Sequence, residues 1–245
     1  MSVLEVKNVS KSFDDKKILD NVSIKLNRGE IVSLIGSSGS GKTTLFNIIA
    51  GIMKPDEGNV ILEGEDITGI SGKVSYMLQK DMLLPYRTVL DNAALPLIVR
   101  GIGKKEARQE AVALFEQFGI AGYENKYPAM LSGGMRQRAA LLRTYLFSSQ
   151  VAILDEPFSA LDMITKREIH AWYLDIMKNI NLSTIFVTHD IDEAILLSDR
   201  IYVLSGVSGQ IIKEIIIDEE KPRQVDFNLT DKFLRYKNDI IKLLM

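Results

Sequence analysis

The chain contains no cysteine among its 245 residues, which excludes disulfides and thiolate-held metals and agrees with a reducing compartment. It also lacks a long apolar run. A stretch such as AALPLIV at 93–99 falls far short of the roughly 18 residues a membrane helix needs, so the chain is not expected to span a membrane by itself. No charge of one sign dominates: 30 Lys and Arg stand against 32 Asp and Glu, a net charge of -2, without the basic excess that marks a nucleic-acid binder. The N-terminal MSVLEVKNVSKSF alternates apolar and polar residues and reads as a strand, not a signal peptide. Internal repeats and low-complexity tails are missing too. What is present is an ordinary globular composition, 46% hydrophobic and 25% charged, long enough for one large α/β domain with an inserted subdomain.

Strand-like alternation covers residues 2–26, broken by a polar turn at DDKK, 14–17. EIVSLIG (30–36) is a short buried strand that runs into a glycine turn, and the helix KTTLFNIIAG follows and stops at Gly51. NVILEG and KVSYMLQ read as strands after the turn KPDEG. From Asp81 to about Gln150 helical periodicity dominates. Strand and helix then alternate through VAILDE (151–156), a helix at 163–180, STIFVTH (183–189), a helix at 190–197 and RIYVLS (200–205). That alternation predicts a mainly parallel sheet flanked by helices. QIIKEIII is a late strand, and the last residues place Phe233, Tyr236, Ile240, Ile241 and Leu244 on one helical face. The expected division is a nucleotide-binding core at 1–80 and 151–220, a helical subdomain at 81–150 and a C-terminal helical tail at 221–245.

Residues 36–43 match G-x-x-x-x-G-K-[ST] between a strand and a helix. Glycines let the backbone curl until several N–H groups face one anion, and the helix N-terminus adds its positive end. In GSSGSGKTT the expected phosphate-binding residues are Gly36, Ser37, Ser38, Gly39, Ser40, Gly41, Lys42, Thr43 and Thr44. Lys42 reaches the β- and γ-phosphates of ATP, and Thr43 offers a hydroxyl to Mg²⁺. Asp155, ending VAILDE, fits the role of holding Mg²⁺ through water. Glu156 sits one residue nearer the substrate, as a base for an attacking water. His189 and Gln79 end two further strands, at the edge where open α/β sheets bind ligands.

A second glycine turn, LSGGMRQ at 131–137, carries neither nucleophile nor metal ligand. Taken with the P-loop, it makes the chain resemble the ATP-binding subunits of ABC transporters over nearly its whole length. In that resemblance GSSGSGKTT is the Walker A turn, Gln79 the Q-loop glutamine and a further Mg²⁺ ligand, VAILDE Walker B, SALD (159–162) the D-loop with Asp162, and His189 the switch histidine. Phe13 falls where the family stacks an aromatic on adenine; by itself it reads equally as an edge or core residue. Met135 departs from the usual signature glutamine, and Thr43-Thr44 from the commoner Ser-Thr. The implied fold is an α/β P-loop NTPase with a mainly parallel sheet core, an N-terminal antiparallel β subdomain and an inserted α-helical subdomain.

The resemblance implies a head-to-tail pair of subunits, in which Ser132, Gly133, Gly134 and Gln137 of one signature cover the ATP of the other. The alternative for Ser132 is a cap on its own helix. Asp162 would bridge the subunits. Arg136, Arg138 and Arg143 are expected on a solvated, salt-bridged face. The segments LLPYRTVLDNAALPL and THDIDEAILLSDRIYVLS are similar to importer subunits for nitrate, sulfonates, taurine and thiamine-pyrimidine precursors. That implies permease partners, an extracytoplasmic solute-binding protein and a peripheral place on the cytoplasmic membrane face. The residues 79–97 are expected to line the permease groove, with Met82, Leu83, Leu84 and Tyr86 either exposed to that partner or filling the subdomain's own core. A soluble non-transport ABC ATPase, an exporter ATPase, a P-loop kinase and a non-hydrolysing sensor are the competing classes.

Overall fold

The computed structural model describes residues 2–14, 16–147, 150–159, 161–206, 209–221, 223 and 226–244. Asp15 of the first turn, Ala160 of SALD, and Pro222, Gln224, Val225 and Met245 of the tail lie outside the described residues. The chain opens with β1 (Ser2–Phe13) and β2 (Lys16–Asn27), antiparallel to each other. Next come β3 (Ile31–Gly36), α1 (Lys42–Ile49), β4 (Glu57–Leu62), β5 (Glu65–Asp66) and the short β6 (Ser75–Met77). Between β6 and β7 the described residues hold α2 (Val89–Ala93), α3 (Leu95–Val99), α4 (Lys104–Val112) and α5 (Gly133–Phe147), and no strand. Beyond them lie β7 (Val151–Asp155), α6 (Met163–Ile180), β8 (Ser183–Val187), α7 (Ile191–Leu197), β9 (Arg200–Leu204), β10 (Ile211–Ile216) and α8 (Asp231–Leu244).

Two sheets result. The smaller is antiparallel in the order β2-β1-β4-β5, and the larger runs β10-β9-β3-β8-β7-β6. Within the larger sheet only β10 is antiparallel to its neighbour. The predicted strand NVILEG therefore joins the N-terminal sheet through β1, and only three residues of KVSYMLQ form β6. The central β3 is buried at every position, as a strand covered by layers on both faces must be. One apolar cluster joins Phe46, Leu34, Ile153 and Val187 to the inner face of the small sheet. Another joins Leu154, Phe186 and Tyr173 to the helices between β6 and β7. Tyr173 is fully buried, and its hydroxyl is satisfied by Thr184 at 2.8 Å, as burial of that group requires. At the C-terminus, α8 buries Phe233 and Ile240 beside Ile195 and Val203, with Tyr236, Leu243 and Leu244 packed at the margin; Leu243 takes the place expected for Ile241.

Register brings the strand ends level. Leu34 of β3 and Asp155 of β7 both align with Val187 of β8, while Met77 of β6 aligns with Leu154. The carboxyl ends of four parallel strands thus reach one edge of the sheet together.

Candidate nucleotide site

That edge bounds a cavity of about 660 Å³ whose lining includes Phe13, Lys42, Thr43, Gln79, Asp155, Glu156 and His189. The glycine turn between β3 and α1 forms its floor through Gly36, Ser38, Gly39, Gly41 and Thr44. Two glycines have steric reasons to be there. A Cβ on Gly36 would lie 2.6 Å from Ser40 Oγ and 2.8 Å from the Leu204 carbonyl oxygen. Gly41 has φ +96°, and its Cβ would meet Leu19 Cδ2 at 2.8 Å; only glycine takes that conformation at no cost. Ser40 is buried inside the turn. The Ser37 carbonyl faces inward, accepting a hydrogen bond from Lys42 Nζ at 2.8 Å, as does that of Gly36 at 2.8 Å. The ammonium is therefore held at the mouth of the turn. Burial pushes its pKa below the ordinary lysine range, against the opposing pull of Glu156 and Asp155.

Asp155, the last residue of β7, is held half-buried. Burial first, and then the neighbouring Glu156 carboxylate, push its pKa above the usual range, with Lys42 opposing. Burial and the Asp155 charge likewise raise the Tyr76 hydroxyl, a neighbour that nothing in the sequence singled out. Glu156 adopts a left-handed backbone with φ +45°, strained for a residue with a side chain. Its N–H donates to the Val187 carbonyl at 3.0 Å, which ties the strained residue to β8. One carboxylate oxygen, Oε2, then accepts from Gln79 Nε2 at 2.8 Å and lies 3.3 Å from His189 Nδ1. Gln79, Glu156 and His189 meet at one atom beside the glycine turn. Phe13 is exposed on the cavity wall, with Lys11 5.6 Å from its ring centroid. Ile18 adds an apolar wall that the sequence did not reveal.

For the implied magnesium ion the donors fit: the Thr43 hydroxyl, in the first turn of α1, and the Asp155 carboxylate line the same cavity. Hard oxygen donors of this kind suit Mg²⁺. Among the described residues no group of three or more His, Cys, Asp and Glu stands ready to hold a metal alone, so nucleotide oxygens and water would complete the shell.

The second glycine turn is not in this cavity, whose lining includes nothing from 131–137. Ser132 is exposed at the start of α5, and its Oγ accepts from Met135 N at 3.3 Å, so it does cap its own helix. Gly133 and Gly134 press against the D-loop and α6: added Cβ atoms would meet Leu161 Cδ2 at 3.1 Å and Thr165 Cγ2 at 3.3 Å. Asp162 is the N-cap of α6, accepting from Ile164 N, Thr165 N and the Thr165 hydroxyl. Gln137 does not share the outward face of Ser132. It is only 6% exposed, turned between α5 and α6 beside Trp172 and Phe158, because helical spacing carries it inward. The arginines differ as well. Arg136 and Arg143 are half-buried and Arg138 lies over the Trp172 ring at 4.8 Å; Arg136 pairs with Asp81, whereas Arg143 donates to backbone carbonyls. In the neighbouring segment Met82 and Tyr86 are exposed, Leu84 is half-buried and Leu83 is core, so the two alternatives divide residue by residue.

A doubly covered parallel sheet with this glycine turn defines a nucleotide-binding P-loop protein. The ABC transporter family profile matches residues 19–159. The chain is 38% identical to the formylaminopyrimidine import ATP-binding protein of Halalkalibacterium halodurans, over 92% of this chain and 87% of that one. It is 34% identical to the nitrate import ATP-binding protein of a Synechocystis species, over 98% and 94%. Among solved structures it superposes on a dimeric ATP-binding cassette in a post-hydrolysis state bound to ADP and Pi, with a TM-score of 0.72, 29% identity, and coverage of 89% of this chain and 100% of that one. The chain belongs to the ABC transporter family.

Proposed function

We propose that the protein is the ATP-hydrolysing subunit of an importer that energises uptake of a small solute through a separate membrane permease. The observation that carries the chemistry is the meeting of Gln79, Glu156 and His189 at one carboxylate oxygen beside the phosphate turn. In this reading the turn amides and Lys42 hold the β- and γ-phosphates, and Phe13 stacks on adenine. Glu156 orients an attacking water and takes its proton, while Gln79 and His189 keep its carboxylate aimed. Thr43, Gln79 and, through water, Asp155 would hold magnesium, which supplies charge neutralisation on the phosphoryl oxygens. Ser132 and the amides of Gly133 and Gly134 serve the nucleotide of a second copy, which is why they lie outside this chain's own cavity. Asp162, packed beside them, links the two sites. Residues 81–150 move as one body on the core.

Among the described residues no helix is long and apolar enough to cross a membrane, so the motion needs a membrane partner. A second concavity of about 350 Å³ lies between Ile52, Tyr76, Pro96 and Arg143. Exposed Ile52, Leu78, Met82 and Tyr86 offer apolar surface to a permease helix. Of the stretch 79–97 only Pro96 lines that concavity. The relatives named for import of formylaminopyrimidine and nitrate support solutes of the nitrate, sulfonate, taurine or thiamine-precursor type. They also support an extracytoplasmic binding protein in the complex and a peripheral site on the cytoplasmic membrane face. The test is purification of the tagged chain from membranes with its permease. Release of ADP and phosphate, stimulated by the solute-loaded binding protein, is expected; a phosphorylated metabolite, or a chain that never retains a permease, would refute the reading.

A further inference from the structure

The segment leaving Gln79 is fastened to the signature helix at two points. Arg143 donates from Nη2 to the Asp81 carbonyl at 2.5 Å and from Nη1 to the Met82 carbonyl at 2.7 Å. Arg136, two turns earlier on the same face of α5, places Nε 3.2 Å from Asp81 Oδ2 while Nη1 donates to the Leu131 carbonyl at 3.0 Å. Asp81 Oδ1 accepts in turn from Leu83 N at 3.0 Å. Between the two carbonyls that Arg143 bridges, Met82 has φ +49°, a left-handed conformation that a side chain disfavours. The planar fork of the guanidinium reaches both carbonyls at once, which a lysine cannot do. Arg143 is half-buried, and burial lowers its pKa while Asp81 opposes the shift. A half-buried cation spent on two backbone carbonyls of a strained turn, three residues beyond Gln79, has no part in the chemistry of hydrolysis.

We propose that Arg143 is a positioning residue for the nucleotide sites: by holding the Asp81–Met82 turn against α5 it makes the Gln79 segment and the signature turn one mechanical unit. A displacement of Gln79 at one nucleotide then moves Ser132 relative to the other. Arg136 completes the unit by joining Asp81 to Leu131 directly. The inference rests on the proposed roles of Gln79 and Ser132.

The test is hydrogen–deuterium exchange of the full chain with and without magnesium and a non-hydrolysable ATP analogue. A Ser132→Arg background keeps a second copy from covering the signature, and a fluorescent ATP analogue reports affinity separately. Nucleotide is expected to change exchange at both 78–84 and 131–137. Arg143→Lys should bind the analogue within twofold and keep the response at 78–84, while its response at 131–137 falls at least threefold. Met82→Val, which leaves α5 untouched but penalises the left-handed turn, should uncouple the same two segments. Met82→Gly added to Arg143→Lys should restore little of the lost response, because glycine accepts the left-handed turn but supplies no bond from it to α5. An undiminished response at 131–137 in Arg143→Lys would overturn the proposal. So would a chain whose signature never responds to nucleotide, or a loss that Met82→Gly repairs, since strain in the turn and not the bond to α5 would then be the whole effect. A parent chain that binds no analogue would overturn the nucleotide function itself, and this inference with it.

Discussion

Replacing Glu156 by glutamine changes one atom at the point where three functional side chains meet. The amide oxygen can still accept from Gln79, and the left-handed backbone and its bond to Val187 are untouched, so the fold should hold. The charge is what goes. Loss of a general base costs about 10²–10⁴ in rate, or roughly 3–5 kcal/mol of transition-state stabilisation, so phosphate release should fall to at most about 1% of the parent. Binding should respond in the opposite direction. Lys42 faces two carboxylates, Asp155 and Glu156, so the cavity floor is net negative where a polyphosphate must sit. A unit charge roughly 5 Å from another at an effective dielectric of ~20 costs about 3 kcal/mol. Glu156 is partly solvated, which leaves about 1 kcal/mol of relief on neutralisation, enough to favour an ATP-bound pair. Light scattering reads the result: a mass near 27.4 kDa without ATP, and twice that with ATP. Adding Ser132→Arg should return the monomer while ATP still binds. Hydrolysis at the parent rate would refute Glu156 as the base. A monomer under every condition, with the permease as well as alone, would refute the shared nucleotide.

Asp155 gives a pH test. Its folded pKa is raised by burial and by Glu156, so ionising it costs the native state: stability is highest below its ordinary pKa and is lost as pH rises through the raised folded value. Asp155→Asn should flatten that acid-side slope in thermal melts without nucleotide and gain of the order of 1 kcal/mol near neutrality, while losing magnesium-dependent hydrolysis. A steeper slope or a less stable variant would contradict the burial argument. Phe13→Ala should weaken nucleotide binding about three- to tenfold, the worth of one aromatic stack, with hydrolysis at saturating ATP nearly unchanged; equal affinities would return Phe13 to the role of an edge residue.

Much of this was legible because the chemistry depends on local order along the chain. A glycine turn must follow a strand and open a helix to bind phosphate, and residues 30–49 spell that out. The buried β3, the acids ending β7 and the histidine after β8 obey the same logic, and the alternation of strand and helix led to the parallel sheet, as the glycine turn led to ATP. Periodicity failed where partners are remote. NVILEG and KVSYMLQ look alike as strands, yet pairing places one in the antiparallel sheet and leaves three residues of the other at the parallel edge. Leu83 reads as one of an apolar group until the fold buries it apart from Met82 and Tyr86.

The amino-acid sequence by itself determined the motif set and the reaction class, since both are written in short runs whose spacing the backbone enforces. Only the tertiary structure brought Gln79, Glu156 and His189 to one oxygen atom, because that meeting depends on the register of β6, β7 and β8 and on a left-handed residue no composition announces. It alone turned Gln137 inward and placed Arg143 on two carbonyls, since a helix face acquires its meaning from whatever packs against it.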